Sequence, residues 1–165
     1  MFRKLALAGL MAAGLGFSAQ AQNFNPAVIF DMGGKFDKSF NEAAYNGAEK
    51  FMKDTGIVYR EFEITNEAQR EQAFRNMAGR GGATIVVGVG FSQASGIEKV
   101  AGEFPNVKFS IVDGVVDKPN VRSIIFKEHE GSFLVGMAAA LASKTGKVGF
   151  VGGMDIPLIR KFALG

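Results

Sequence analysis

The sequence predicts an α/β protein in which a parallel sheet is flanked by helices. Short apolar or alternating runs, each of strand length, recur along the chain and are separated by amphipathic stretches of helical length. One run, "ATIVVGV" at 83–89, is apolar on both of its faces, which is typical of a central strand in a parallel sheet. Strands that alternate with helices in this way indicate consecutive βαβ units.

The elements follow one another in a regular order. Helices are predicted at about 40–54, 66–79 and 92–104, because apolar residues such as Ala44, Ala48 and Phe51 recur three and four positions apart. Strands are predicted before, between and after these helices, at 27–31, 57–64, 83–89, 107–113, 121–126 and 147–152.

The first 21 residues have the pattern of a secretory signal peptide. Arg3 and Lys4 precede an apolar stretch at 5–17, and Ala19-Gln20-Ala21 fits a cleavage site. The apolar stretch is shorter than the ~20 residues that a bilayer requires. The sequence contains no cysteine, which excludes disulfides and lipid attachment through a cysteine thiol. We therefore expect a signal peptide at 1–21 and a protein that is free in the periplasm, with no direct membrane insertion after cleavage.

Charge and composition favour neither a nucleic acid nor a metal as a partner. The formal net charge of +3 falls to +1 when Arg3 and Lys4 are removed with the signal. The remaining charges are scattered and form no basic run. With one histidine, no cysteine and no acidic cluster at ligand spacing, the sequence predicts neither a metal site nor a cofactor.

A second apolar stretch lies at 130–146, "EGSFLVGMAAALASKTG". It is apolar on nearly all sides but too short to span a membrane, and it ends in Ser143-Lys144. We therefore expect a helix that is buried within the fold.

Polar and aromatic side chains follow three of the predicted strands. Asp31 ends the first strand, Phe91 follows "VGVG", and Asp113 ends "SIVD". Ligands of open α/β sheets bind at the carboxyl ends of the strands. Ser39-Phe40-Asn41-Glu42 fits a capping box, which would leave Phe40 and Asn41 free to face the same crevice.

Two carboxylates and two phenyl rings at one edge suit a flat, uncharged ligand that donates hydrogen bonds. Stacking on an aromatic ring is worth about 1–3 kcal/mol, and a hydrogen bond to a charged acceptor about 1.5–3 kcal/mol. No phosphate-binding glycine motif is present. Simpler interpretations stay open, because a phenylalanine near a helix start is often a core contact and an aspartate after a strand is often a turn residue.

An alternative is an α/β hydrolase-like esterase. "GVGFSQAS" resembles a nucleophile elbow around Ser92, although Ala94 stands where the motif has its last glycine. The chain order allows Asp113 or Asp117 and then His129 to complete a triad. The simpler interpretations are favoured, because Ser92 is suited to cap a helix and His129 lies in a polar stretch where a lone histidine is usually exposed or a hinge residue. A pure interaction protein is a third possibility.

Several stretches resemble one protein family. These are "VIFDMGGKFDKSFNEAAYNGAEKF", "IVVGVGF", "FPNVKFSIVDG", "EGSFLVGMAAAL" and "KVGFVGGMDIP". Together they look like the basic membrane protein family of substrate-binding proteins, similar to the purine nucleoside receptors that feed ABC importers. The stretch D-x-G-G-x-x-D-x-S-F-N is the most specific part of the resemblance.

The resemblance implies a periplasmic-binding-protein-like (type I) fold with two lobes that close over a nucleoside and deliver it to a membrane permease. It implies that Asp31 and Asp113 hydrogen-bond the ligand and that Phe40 stacks on the base, with Asn41 beside them. Phe91 and Met154 are added to the ligand site from their positions.

The domain boundaries also follow from the resemblance. Residues 22–120 would form the N-terminal ligand-binding lobe, and 121–165 would form the hinge crossover and the start of a second lobe. We therefore expect the first half of such a protein, which would lack the second stacking aromatic and the groups that hold the ribose.

Overall fold

The computed structural model describes residues 24–165 and contains a five-stranded parallel sheet. The predicted signal peptide at 1–21 lies outside the described residues. The strands run in the order β2-β1-β3-β4-β5 across the sheet. Their bounds are β1 Pro26–Phe30, β2 Arg60–Glu63, β3 Ile85–Val89, β4 Lys108–Val112 and β5 Val121–Ile124.

Helices connect the strands as the sequence predicts. Their bounds are α1 Phe40–Thr55, α2 Gln69–Ala78, α3 Ala94–Glu103, α4 Glu128–Ala142 and α5 Pro157–Leu164, with a short 3-10 turn at Phe91–Gln93 before α3. The α/β prediction and the first five strands are thus confirmed, and β4 and β5 follow each other in parallel without a helix between them.

Alternate residues of β1 pack into two separate hydrophobic cores. Ala27 and Ile29 join the larger core, where Phe74 of α2 and Phe109 of β4 lie with their ring centroids 6.5 Å apart. Val28 and Phe30 join a smaller core that packs against α1. Burial of each such large side chain stabilises the fold by about 1.5–3 kcal/mol. The sheet is therefore a rigid platform for the loops at its carboxyl edge.

The register brings three strand ends next to one another. Ile29 pairs with Gly88, and Gly88 pairs with Ile111. Two residues further on, Asp31, Gly90 and Asp113 consequently lie side by side at the carboxyl edge. Backbone hydrogen bonds continue the ladder here, from Gly90 N to Val112 O at 3.1 Å and from Asp113 N to Ile124 O at 2.9 Å.

The start of α1 is capped by a different residue from the predicted one. The Ser39 side chain makes no capping hydrogen bond. The carboxylate of Asp37 instead accepts the backbone N–H groups of Ser39 at 2.8 Å and of Asn41 and Glu42 at 3.1 Å. The capping-box prediction is wrong because a carboxylate two residues earlier bonds the free amides of the first turn.

Two predictions for the last 40 residues are also wrong. The stretch 147–152 forms no strand, and Val148, Phe150 and Val151 are exposed. A strand needs a neighbour to complete its hydrogen-bond ladder, and no described segment lies beside this stretch as a paired strand. Helix α4 forms at the predicted place, but Glu128 is its one buried residue, because within the described chain it packs mainly against α5.

Among residues 24–165, none of the helices combines the length and the apolar composition that crossing a membrane would require.

Candidate functional site

The carboxylate of Asp31 accepts three hydrogen bonds at the carboxyl edge of the sheet. Its Oδ1 accepts hydrogen bonds from Arg70 Nη1 at 2.6 Å and from the Met32 N–H at 2.8 Å. Its Oδ2 accepts a hydrogen bond from the Ser92 hydroxyl. About one fifth of the Asp31 side chain stays exposed, since its relative accessibility is 20%. Asp31 therefore links the end of β1 to α2 and to the turn that precedes α3.

Asn41 is buried under the same loop, and both ends of its amide group are occupied. Its Oδ1 accepts the Asp31 backbone N–H at 2.9 Å, and its Nδ2 donates to Asp37 Oδ2 at 3.1 Å. The side chain has a relative accessibility of only 3%. Asn41 therefore fixes the start of α1 against the end of β1.

Gly90 explains how Asp31 fits against the next strand end. Its φ of +100° lies in a region that favours glycine, and a Cβ atom there would come within 2.7 Å of Asp31 Oδ2. The two strand ends can therefore pack closely only because residue 90 has no side chain.

Asp113 directly follows β4 and has a left-handed conformation, with a φ of +61°. Its Oδ1 is buried and has no hydrogen-bond partner among the described residues. Burial, together with the nearby negative charge of Glu128, raises the pKa of Asp113, while Lys161 opposes the shift. A buried acceptor without a donor is costly for the protein alone, so this atom is suited to accept a hydrogen bond from a ligand.

A cavity of about 310 Å³ lies beside Asp113. The cavity is lined by Phe91 and Gly114 at the strand ends, by Ile125 directly after β5 and by Lys161 on α5. Its walls are mostly apolar with one carboxylate and one amine, and its volume is at the lower end for small-molecule sites. Phe91 and Asp113, both predicted from the sequence, are thus brought together.

The other predicted aromatic, Phe40, is the first residue of α1 at the same edge of the sheet. Phe40 and Phe91 have relative accessibilities of 37% and 38%, and neither belongs to the two buried cores. Phe40 does not line the cavity next to Asp113. Both rings are therefore accessible, but only Phe91 shares a cavity with a predicted carboxylate.

Met154 lies apart from the other predicted residues. It is half exposed in the loop before α5 and lines a separate hollow of about 320 Å³ with Phe150, Asp155 and Ile159. The structure therefore does not bring Met154 together with Asp31 or Asp113.

The sequence predicts neither Arg70 nor Ser92 as part of the ligand site, and it offers Ser92 only as a candidate nucleophile or helix cap. Arg70 is buried on α2, where the sequence pattern indicates only a helix, and its partner lies 39 positions earlier. Ser92 bonds Asp31, and no hydrogen bond joins it or Asp113 to the exposed His129 within residues 24–165. A triad is therefore not assembled.

The strand order β2-β1-β3-β4-β5 is that of a doubly wound α/β sheet, and such sheets bind their ligands at the carboxyl edge where these polar residues gather. The chain belongs to the family described as ABC transporter substrate-binding protein PnrA-like, which it matches over residues 24–165. The resemblance to basic membrane proteins is thereby confirmed.

Curated relatives and a solved structure agree with this family. The chain is 36% identical over 144 residues to the ABC transporter nucleoside-binding protein BmpA of Lactococcus lactis, covering 84% of this chain and 41% of that one. It is 36% identical over 156 residues to a CD4+ T-cell-stimulating antigen of Listeria innocua, covering 91% and 43%. A crystal structure of ABC transporter solute-binding proteins from Aeropyrum pernix K1 aligns with a TM-score of 0.74 and 32% identity, covering 84% and 40%. The chain therefore spans about two fifths of the length of these relatives.

Proposed function

We propose that this chain contributes one wall of a ligand cleft that captures purine nucleosides for an ABC importer. The observation that carries the proposal is the adjacency of Asp31, Gly90 and Asp113 at one edge, with accessible phenyl rings at Phe40 and Phe91. Acceptors and aromatic faces are what a flat, N–H-bearing heterocycle requires. The nucleoside-binding name of the Lactococcus lactis relative supports the same class of ligand.

The energies of these contacts account for a large part of a micromolar affinity. One stacked ring contributes about 1–3 kcal/mol, and each hydrogen bond to a carboxylate about 1.5–3 kcal/mol. Micromolar binding requires about 8 kcal/mol. Two rings and two carboxylates approach this value, and contacts from an opposing wall would supply the remainder.

Residues 22–120 form the ligand-binding lobe in this proposal, and 121–165 form the crossover and the start of a second lobe. Lys161 supports a defined crossover, because its amine donates to Phe126 O at 3.1 Å and to Glu128 Oε2 at 3.0 Å. Ligand bound between two lobes would stabilise the closed form by the difference in its affinity for the closed and open forms. The closed form would then dock on the permease. The protein would act in the periplasm after removal of residues 1–21, by capture without chemical conversion of the ligand.

Ligand-observed NMR tests the proposal at the weak affinities that one wall can supply. Adenosine, guanosine, inosine and riboflavin would be compared with ribose and with a mixture of amino acids. We expect saturation transfer to the purine protons of the nucleosides and little transfer to ribose. Transfer only to sugars or amino acids would contradict the proposed ligand class.

A further inference from the structure

We infer that Arg70 and Ser92 are positioning residues that aim the carboxylate of Asp31 at a ligand N–H group. The inference rests on the proposed function, because it concerns the same site. Neither residue would contact the ligand. Both would act through Asp31.

The hydrogen bonds from Arg70 and Ser92 leave part of the Asp31 carboxylate available to a ligand. A carboxylate offers about four lone-pair positions. Arg70 Nη1 and the Met32 N–H occupy Oδ1, and the Ser92 hydroxyl occupies one position on Oδ2. One position on Oδ2 remains, and the side chain is still partly accessible. Asp31 can therefore accept a single additional donor in a fixed direction.

Arg70 is well placed to hold this arrangement. Its side chain has a relative accessibility of 8%, and Asp31 is its one side-chain hydrogen-bond partner among the described residues. A buried guanidinium requires a paired acceptor, so the pair has little freedom to separate. Because α2 packs against α3 and the sheet, the position of Asp31 is coupled to the core.

Ser92 couples Asp31 to the aromatic side of the site. It lies in the 3-10 turn that begins with Phe91, and its hydroxyl bridges this turn to the end of β1. The close approach of Gly90 to Asp31 Oδ2 leaves the carboxylate little room to rotate. Ser92, which resembles a nucleophile in the sequence, thus donates a hydrogen bond that orients the carboxylate of Asp31.

The ligand test compares inosine, which has a ring N–H, with purine riboside, which has none. Ser92→Ala is expected to weaken inosine binding about tenfold and purine riboside binding less than about twofold, because only inosine uses the aligned acceptor. Ser95→Ala is the matched control, since Ser95 is exposed in the same region and makes no side-chain hydrogen bond in the described structure. Equal losses for both ligands, or no loss for either, would overturn the inference.

Arg70→Lys provides a second variant that keeps the cation if Arg70→Met does not fold. It is expected to retain most of the discrimination between inosine and purine riboside, because an ammonium can still donate to Oδ1. Equal weakening of inosine and purine riboside binding in a folded Arg70→Lys protein would overturn the positioning role of Arg70. Unchanged inosine binding in a folded Arg70→Met protein would overturn the role of Arg70.

A measurement without ligand separates this inference from the proposed function. The side-chain carboxyl carbon resonance of Asp31 is expected to move in Ser92→Ala and in Arg70→Lys, and to stay in place in Ser95→Ala. An unmoved resonance would overturn the positioning role. If the resonance moves but the unmodified chain binds no nucleoside, the nucleoside function fails and the alignment of Asp31 stands.

Discussion

Arg70 Nη1 lies 2.6 Å from Asp31 Oδ1 and thereby joins α2 to the carboxyl end of β1. The two residues are 39 positions apart, and the Arg70 side chain is almost completely buried. This ion pair therefore belongs both to the core and to the candidate ligand site.

Removal of the arginine should destabilise the fold. Arg70→Met leaves Asp31 without its strongest partner, and we expect a loss of about 2–3 kcal/mol, below the full cost of a broken buried pair because Asp31 is partly solvated. Chemical denaturation measures this loss. Lys50→Met on α1 is the control, and it should have little effect because the Lys50 pair with Asp54 is exposed. Equal losses from the two variants would show that the buried Arg70–Asp31 pair stabilises the fold no more than an exposed pair does.

A side chain at position 90 should be poorly tolerated. Gly90→Ala places a Cβ against Asp31 Oδ2 and imposes a φ of +100° on a residue that rarely adopts it. We expect a loss of about 1–3 kcal/mol in the free energy of unfolding. Gly102→Ala in α3 meets open space and should be neutral or stabilise the protein by up to about 1 kcal/mol. A neutral Gly90→Ala would show that the strand ends are not packed as described.

Capping of α1 should depend on Asp37 and not on Ser39. Asp37→Ala removes the acceptor of three backbone N–H groups, and we expect Tm to fall by about 2–4 °C, whereas Ser39→Ala should leave it nearly unchanged. Desolvation alone would raise the pKa of Asp37, but hydrogen bonds from Asn41, Glu42 and Ser39 outweigh this effect and lower that pKa.

The same capping interaction should depend on pH. Because the folded pKa of Asp37 is lowered, its stabilisation is complete above the unfolded pKa and disappears as the pH falls through the folded value. The difference in Tm between the unmodified chain and Asp37→Ala should therefore be largest near neutral pH and smallest in strong acid. A difference that grows on acidification would contradict the assignment.

Asp113 should reduce stability while it supports binding. Burial and then the charge of Glu128 raise its folded pKa, so its favourable contribution exists below the unfolded pKa and is lost as the pH rises through the folded value. Asp113→Asn should consequently raise Tm at neutral pH and give no gain in strong acid, since asparagine also tolerates the left-handed backbone. Thermal unfolding at several pH values tests this. A lower Tm at neutral pH would mean that the carboxylate is stabilising.

The same variant should bind inosine more weakly, because an amide is a poorer acceptor than a carboxylate. If the Asp113 carboxylate binds the ligand, the variant should be more stable than the unmodified chain and should have a lower affinity for inosine. Retained affinity in Asp113→Asn would remove Asp113 from the site.

Sequence periodicity correctly predicts the five strands of the sheet, and the strand ends place Asp31 and Asp113 at the same edge. It was insufficient where a partner lies far away in the chain. The Arg70–Asp31 pair could not be read from α2, because helical spacing does not indicate which strand end a polar side chain reaches. The apolar pattern at 147–152 indicated a strand, but no neighbouring strand pairs with it in the described chain. The capping-box spacing predicts Ser39 as the cap of α1, and it does not indicate that the carboxylate of Asp37, two residues earlier, reaches the amides of the first turn.

The most direct test of the proposed nucleoside site is an NMR titration of inosine into the isotope-labelled chain, with ribose as the matched control. We expect backbone shift changes at Asp31, Phe91 and Asp113, which fade on Asp113→Asn and are absent with ribose. Changes confined to the opposite edge of the sheet, around Thr84 and Val107, would contradict the proposed site, as would no change at millimolar inosine.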